Sequence, residues 1–192
     1  MKPHFSSIVG MGALPTGPRL ERIQSSKQWG GAQFKNNLPK RPSPPFLKLM
    51  GTIFEEPGYS RPERRLPIEK RRKSDFETPP ESGLRVTWLG HSTSIVEIDG
   101  ARVLIDPIWG ERASPFSWMG PKRFYEAPLA FEELPAIDVV IISHDHYDHL
   151  DYPSVLMLMK RDVTWVVPLG VGAHLEFWGV APDLITELDW WE

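Results

Sequence analysis

The run Ile137-Asp138-Val139-Val140-Ile141-Ile142-Ser143 leads directly into His144-Asp145-His146-Tyr147-Asp148-His149. The first seven residues are apolar and β-branched and end at a serine, the pattern of a buried strand. The next six carry three imidazoles and two carboxylates. A strand that ends by releasing such a set into a loop holds its ligands rigidly, so binding costs little ordering entropy. His144 and His146 are two residues apart and fall on one side of an extended segment, a pincer for one ion. Asp148 and His149 follow after a turn and can face a second ion. Nitrogen and carboxylate donors suit zinc, and also manganese or iron. Two ions close together lower the pKa of a shared water towards neutrality. A solvated polar loop is the simpler reading of one such histidine, but not of five ligand-type side chains in six positions.

The surrounding chain reads as alternating strands and helices. Leu84–Gly90 and residues 93–99 alternate as strands, and 101–106 is the return strand of a hairpin turned at Asp99-Gly100, where both positions tolerate positive φ. Residues 107–136 form a long aromatic and proline-rich loop, with a turn of helix at 131–134. Beyond the histidine loop, Asp151 caps a helix running to about Lys160, with Val155, Leu158 and Met159 inward. A strand at 162–167, a short helix at 170–178 ended by Gly179, and a strand at 184–188 complete an α/β pattern.

The 192 residues include no cysteine, which excludes disulfides, thiolate metal sites and a cysteine nucleophile. Charge and proline divide the chain near Gly83. Residues 1–83 carry a net +7 and 12 of the 20 prolines, whereas residues 84–192 carry a net −10, together the −3 of the whole. Stretches such as 38–45 cannot be helix or central strand. The expectation is a basic, irregular arm (1–83) before an ordered domain (84–192). The basic run 61–73 suits an acidic surface such as phospholipid headgroups. Phe46, Leu47, Leu49, Met50, Ile53 and Phe54 would pack or meet a membrane. Nucleic acid is not expected as a partner, since no binding motif accompanies the charge. No stretch approaches the ~20 apolar residues of a membrane span, and the N-terminus makes a poor signal peptide. The reading is a cytoplasmic protein with peripheral membrane contact, and a homodimer is left open.

Leu-Gly-His-Ser-Thr at 89–93, Leu-Ile-Asp-Pro at 104–107 and the 144–149 stretch together resemble the opening motifs of the metallo-β-lactamase-fold hydrolases. Further blocks at 119–124, 142–152, 167–170 and 187–192 are similar to the branch that contains N-acyl-phosphatidylethanolamine-hydrolysing phospholipase D. The resemblance covers 84–192 well and the arm loosely, through 15–20 and 33–36. It implies the first half of an αβ/βα sandwich with two metal ions, zinc foremost. His144 and His146 would hold one ion, and Asp148 and His149 the other. Asp106, at a strand end, would be the carboxylate that orients a ligand histidine. Asp148 would also act as the catalytic proton acceptor while a metal-activated water attacks the phosphorus of a phospholipid or other phosphodiester. Asp145 is expected to face the loop's own backbone. Tyr147 lines the substrate pocket or packs. His91 either hydrogen-bonds near the site or is a satisfied core histidine, and His174 is structural or at the surface. Lys122 and Arg123 could meet a phosphate, but each taken singly reads better as a solvated loop cation. The resemblance also implies a second half with a further histidine for each ion and a bridging aspartate, for which this sequence shows no matching motif. The chain alone is therefore expected to carry half a dinuclear site, to expose an apolar sheet face, and to show little activity. A lactonase-like hydrolase of the same fold and a non-catalytic binding module are the competing readings.

Overall fold

The computed structural model describes residues 9–39 and 62–192. The apolar positions 46–54, His4 and Arg61 lie outside the described residues. Six strands form one mixed sheet in sequence order: β1 (Leu84–Gly90), β2 (Thr93–Ile98), β3 (Ala101–Ile105), β4 (Val139–Ile141), β5 (Thr164–Pro168) and β6 (Ile185–Leu188). The first three pair antiparallel and the last four parallel. Antiparallel neighbours need only tight turns, and Asp99 and Gly100 supply one with φ of 48° and 86°. Parallel neighbours need crossovers. β3 to β4 crosses through residues 106–138. β4 to β5 crosses through α2 (Tyr152–Leu158), and β5 to β6 through α3 (Gly172–Phe177).

Strands and helices fall where the sequence patterning places them, with trimmed ends. The run 137–143 forms only three residues of strand, because the chain turns out after Ile142, which keeps one bond to β5, to start the histidine loop. The helix expected to reach Lys160 stops at Leu158. Its start is as read: the Asp151 carboxylate accepts the Ser154 N–H at 3.1 Å. Asp151 also accepts the Ser154 hydroxyl at 2.5 Å and the Gly110 N–H at 2.9 Å, tying the helix to the long loop.

The basic arm is less irregular than expected. Gly17–Ser25 forms a helix, α1, with Pro18 in its first turn, where a missing N–H costs nothing. Its buried Ile23 comes within 3.0 Å of where a Cβ on Gly170 would stand, so glycine permits the approach. Arg19 completes the dock, donating to Glu187 at 3.0 Å and Glu176 at 2.8 Å. Only one side chain of the helix is fully buried, which leaves little apolar periodicity to read.

The two sheet faces differ. Leu89, Ile95, Leu104, Val140, Trp165 and Val167 point to one side and are buried under the helices and loops. Glu97 shares that side and is satisfied by Arg102 at 3.2 Å and by Arg85. The register puts Leu84, Val86 and Trp88 of β1 on the opposite side, beside Ile98, Val96 and Ser94 of β2. Val103, Ile105, Val139, Ile141 and Val166 continue that face across the sheet. It is apolar yet uncovered among the described residues: Val86 is 61 % exposed and Trp88 67 %.

Candidate metal centre

The histidine loop begins where β4 leaves the sheet, at the carboxyl end of the parallel strands, where ligands collect in open α/β sheets. Ile142 N–H still donates to Val166 O at 3.1 Å. The chain then turns on itself, the His149 and Leu150 N–H groups both donating to His146 O at 2.9 and 2.7 Å. That turn gathers side chains that are distant in an extended chain. The His144 ring centroid lies 4.6 Å from that of His146 and 4.0 Å from that of His149. His149 Nε2 is 3.9 Å from Asp148 Oδ2.

Asp106 stands behind them and is buried. Its backbone is left-handed (φ 44°), a conformation a non-glycine residue adopts at a cost. The cost is offset by three contacts. The carboxylate accepts the Ser143 N–H at 2.7 Å and the Ser143 hydroxyl at 2.7 Å, and lies 2.8 Å from His149 Nδ1. The last contact puts the proton of neutral His149 on Nδ1 and leaves Nε2 as the free donor atom. Thr93 braces the turn from behind, donating to Asp106 O at 2.8 Å and accepting from Ile108 N–H at 3.1 Å.

Electrostatics favour the forms that bind a cation. Burial lowers the His144 pKa from its ordinary 6.5, and the neighbouring His149 and His146 lower it further. Burial pushes the Asp148 carboxyl up, but hydrogen bonds from its own backbone amide and from His91, with the neighbouring His149, outweigh it and hold the group below the usual range. Neutral imidazole and ionised carboxylate are the states a metal requires.

His91 is not a core histidine. It sits exposed at the β1–β2 turn, with Nε2 3.0 Å from Asp148 Oδ2. Donor atoms of His91, Asp148 and His149 all lie within 4.8 Å of one another. Its sequence signals were the glycine before it at a strand end and its place in the Leu-Gly-His-Ser-Thr motif at 89–93. Ser143, which links Asp106 to the loop, gave none. Asp145 is exposed and, with His144, borders a cleft of 540 Å³ walled by Phe34, Leu188 and Trp190. Tyr147 is exposed on the loop. His174 is structural as expected, accepting the Ala13 N–H at 3.2 Å and stacking on Trp178. Lys122 pairs with Glu111 at 3.4 Å, and Arg123 donates to Ile108 O at 2.7 Å, so both are engaged within the long loop.

Comparison with known proteins agrees with this geometry. Residues 101–192 match the family model described as "Beta-lactamase superfamily domain". This match and the relatives below support the metallo-β-lactamase-fold superfamily. Within it, the chain is similar to the N-acyl-phosphatidylethanolamine-hydrolyzing phospholipase D 1 of Caenorhabditis elegans, 36 % identical over 92 % of this chain and 49 % of that protein. An uncharacterised protein of Mycobacterium tuberculosis is 54 % identical over 57 % of this chain and 30 % of its own length. A metal-dependent hydrolase of Caldivirga maquilingensis is 36 % identical over 46 % of this chain and 33 % of its own. The chain thus spans about half or less of each of these curated relatives.

Proposed function

We propose that this chain contributes to a metal-dependent phosphodiester hydrolase of the phospholipase D type, acting on N-acyl-phosphatidylethanolamine. The observation that carries the reading is the convergence of His144, His146, Asp148 and His149 at one strand end, with Asp106 orienting His149. The likeness to the nematode phospholipase D supports the substrate class. The donor set fits a borderline divalent cation, zinc first and manganese or iron next.

In this reading His144 and His146 hold one ion, and Asp148 and His149 a second. The ions supply Lewis acidity and water activation. The chain's own residues prepare that chemistry. Asp106 fixes the tautomer of His149. Burial keeps His144 neutral. Asp148 stays ionised at neutral pH and is placed to accept a proton beside the reacting phosphate. Peripheral contact with an anionic lipid surface through the basic residues 62–73 would present the substrate. The 192-residue polypeptide by itself is proposed to bind metal more readily than it turns over substrate.

The test uses protein purified from its native source, with its metal content measured. Release of phosphatidic acid and N-acylethanolamine that is abolished by a chelator and restored by zinc supports the proposal. Turnover of lactones with no phosphodiesterase activity would assign the site to another substrate of the same fold. A well-folded protein without bound metal would leave a non-catalytic module.

A further inference from the structure

The metal-ligand stretch is only half of the contact around Asp148; the other half comes from the turn between β1 and β2. That turn is built at a conformational cost. The β1–β2 register shifts between Trp88 and Gly90. Such irregularities are frequent beside active sites, where they re-aim a side chain. Gly90 has φ 100°, and a Cβ there would stand 2.5 Å from the Tyr125 hydroxyl. His91 follows in the left-handed region at φ 48°. The Trp88 indole N–H caps the turn by donating to His91 O at 2.9 Å.

The strained turn reaches Asp148 twice. His91 Nε2 lies 3.0 Å from Asp148 Oδ2, and the Ser92 hydroxyl donates to Asp148 O at 3.2 Å. One residue of the metal loop is thus held at side chain and backbone by two consecutive residues more than fifty positions earlier. The His91 and His149 rings meet edge to face at 5.5 Å, so His91 also packs against His149.

We propose that His91 is a positioning residue of the metal centre: its Nε2–H donates to Asp148 and fixes the orientation in which that carboxylate is presented beside His149. It acts through Asp148 and is not itself a ligand. This rests on the metal reading above and adds to the site a residue outside the histidine stretch.

The experiment is zinc titration of the 192-residue chain against a chromophoric chelator, for the parent and for His91→Gly, His91→Asn and His91→Gln. Thermal melts of the zinc-free proteins confirm folding. Glycine and asparagine accept the left-handed backbone but cannot reach Asp148. Glutamine carries an amide N–H as far as Nε2. Loss of an orienting partner typically weakens metal affinity by about 10–100-fold. We expect that loss in His91→Gly and His91→Asn, and recovery of most of it in His91→Gln. If glycine loosens the turn, His91→Asn carries the comparison. Parent-like affinity in both shortened variants would overturn the inference while leaving the metal reading intact. So would failure of glutamine to restore binding together with loss of one imidazole from the cobalt-substituted site, since His91 would then be a ligand. A folded parent that binds no zinc would overturn the metal reading and this inference with it.

Discussion

Asp106 lies 37 and 43 residues before its partners Ser143 and His149, yet its buried carboxylate serves both. Replacing it by asparagine keeps the shape and tolerates the positive φ, but the neutral amide accepts the His149 Nδ1–H more weakly and so orients the ring less firmly. The expected outcome of Asp106→Asn is a loss of about 10–100-fold in zinc affinity with little change in the far-UV spectrum, read by calorimetric titration. His174 answers to pH instead. Burial lowers its pKa from 6.5, opposed only in part by Asp145, and its Nδ1 accepts the Ala13 N–H. Below pH 6.5 the unfolded chain takes up a proton that the folded chain resists. Stability therefore rises with pH across that window and is lost as pH falls through it. Thermal melts of zinc-free protein between pH 7 and 5 should show a shallower acid slope in His174→Gln than in the parent, the remaining slope including His144, which shifts the same way.

At the scale of elements, α2 and the long loop 107–136 stabilise each other through one carboxylate. Asp151 caps the helix and holds Gly110, and a Cβ on Gly110 would stand 2.4 Å from Asp151 Oδ1. Burial raises the Asp151 pKa, with the hydrogen bonds from Ser154 and Gly110 opposing it. Asp151→Ala should lower stability by about 1–2 kcal/mol through the lost cap, measured by urea unfolding. A loss below about 0.5 kcal/mol would show that water replaces the contact. The elements themselves were legible because their signals are local: alternation in β1 to β3, the Asp99-Gly100 turn, the Asp151 cap. Helix α1 was not, because it is anchored by Ile23 on Gly170 and by Arg19 on Glu187, and these contacts join positions about 150 residues apart.

Among the described residues, the sheet has one packed face and one exposed face. Val86, Trp88, Leu84 and Ile98 are each more than 40 % exposed on the open side. A contiguous apolar surface of this kind drives association in water. The 192-residue polypeptide should self-associate with rising concentration in sedimentation velocity. Val86→Lys combined with Ile98→Lys should suppress that association without lowering the melting temperature, because neither side chain is buried in the sheet's core. A parent that stays monomeric at high concentration would sink this expectation. Among the described residues no helix is long and apolar enough to cross a membrane.

By itself the sequence determined the α/β order and marked the strand that releases the histidine stretch into a loop. Those features depend on neighbours within a few positions, through the two-residue period of a strand and the chemistry of contiguous side chains. Tertiary structure decided that the histidine beside Asp106 is His149, with Ser143 on the same carboxylate, that the partner of His91 is Asp148, and that the arm docks through α1. Each of those contacts is made between strands or loops far apart in the chain. Their partners are chosen by sheet register and turn geometry, which no local pattern of residue types encodes.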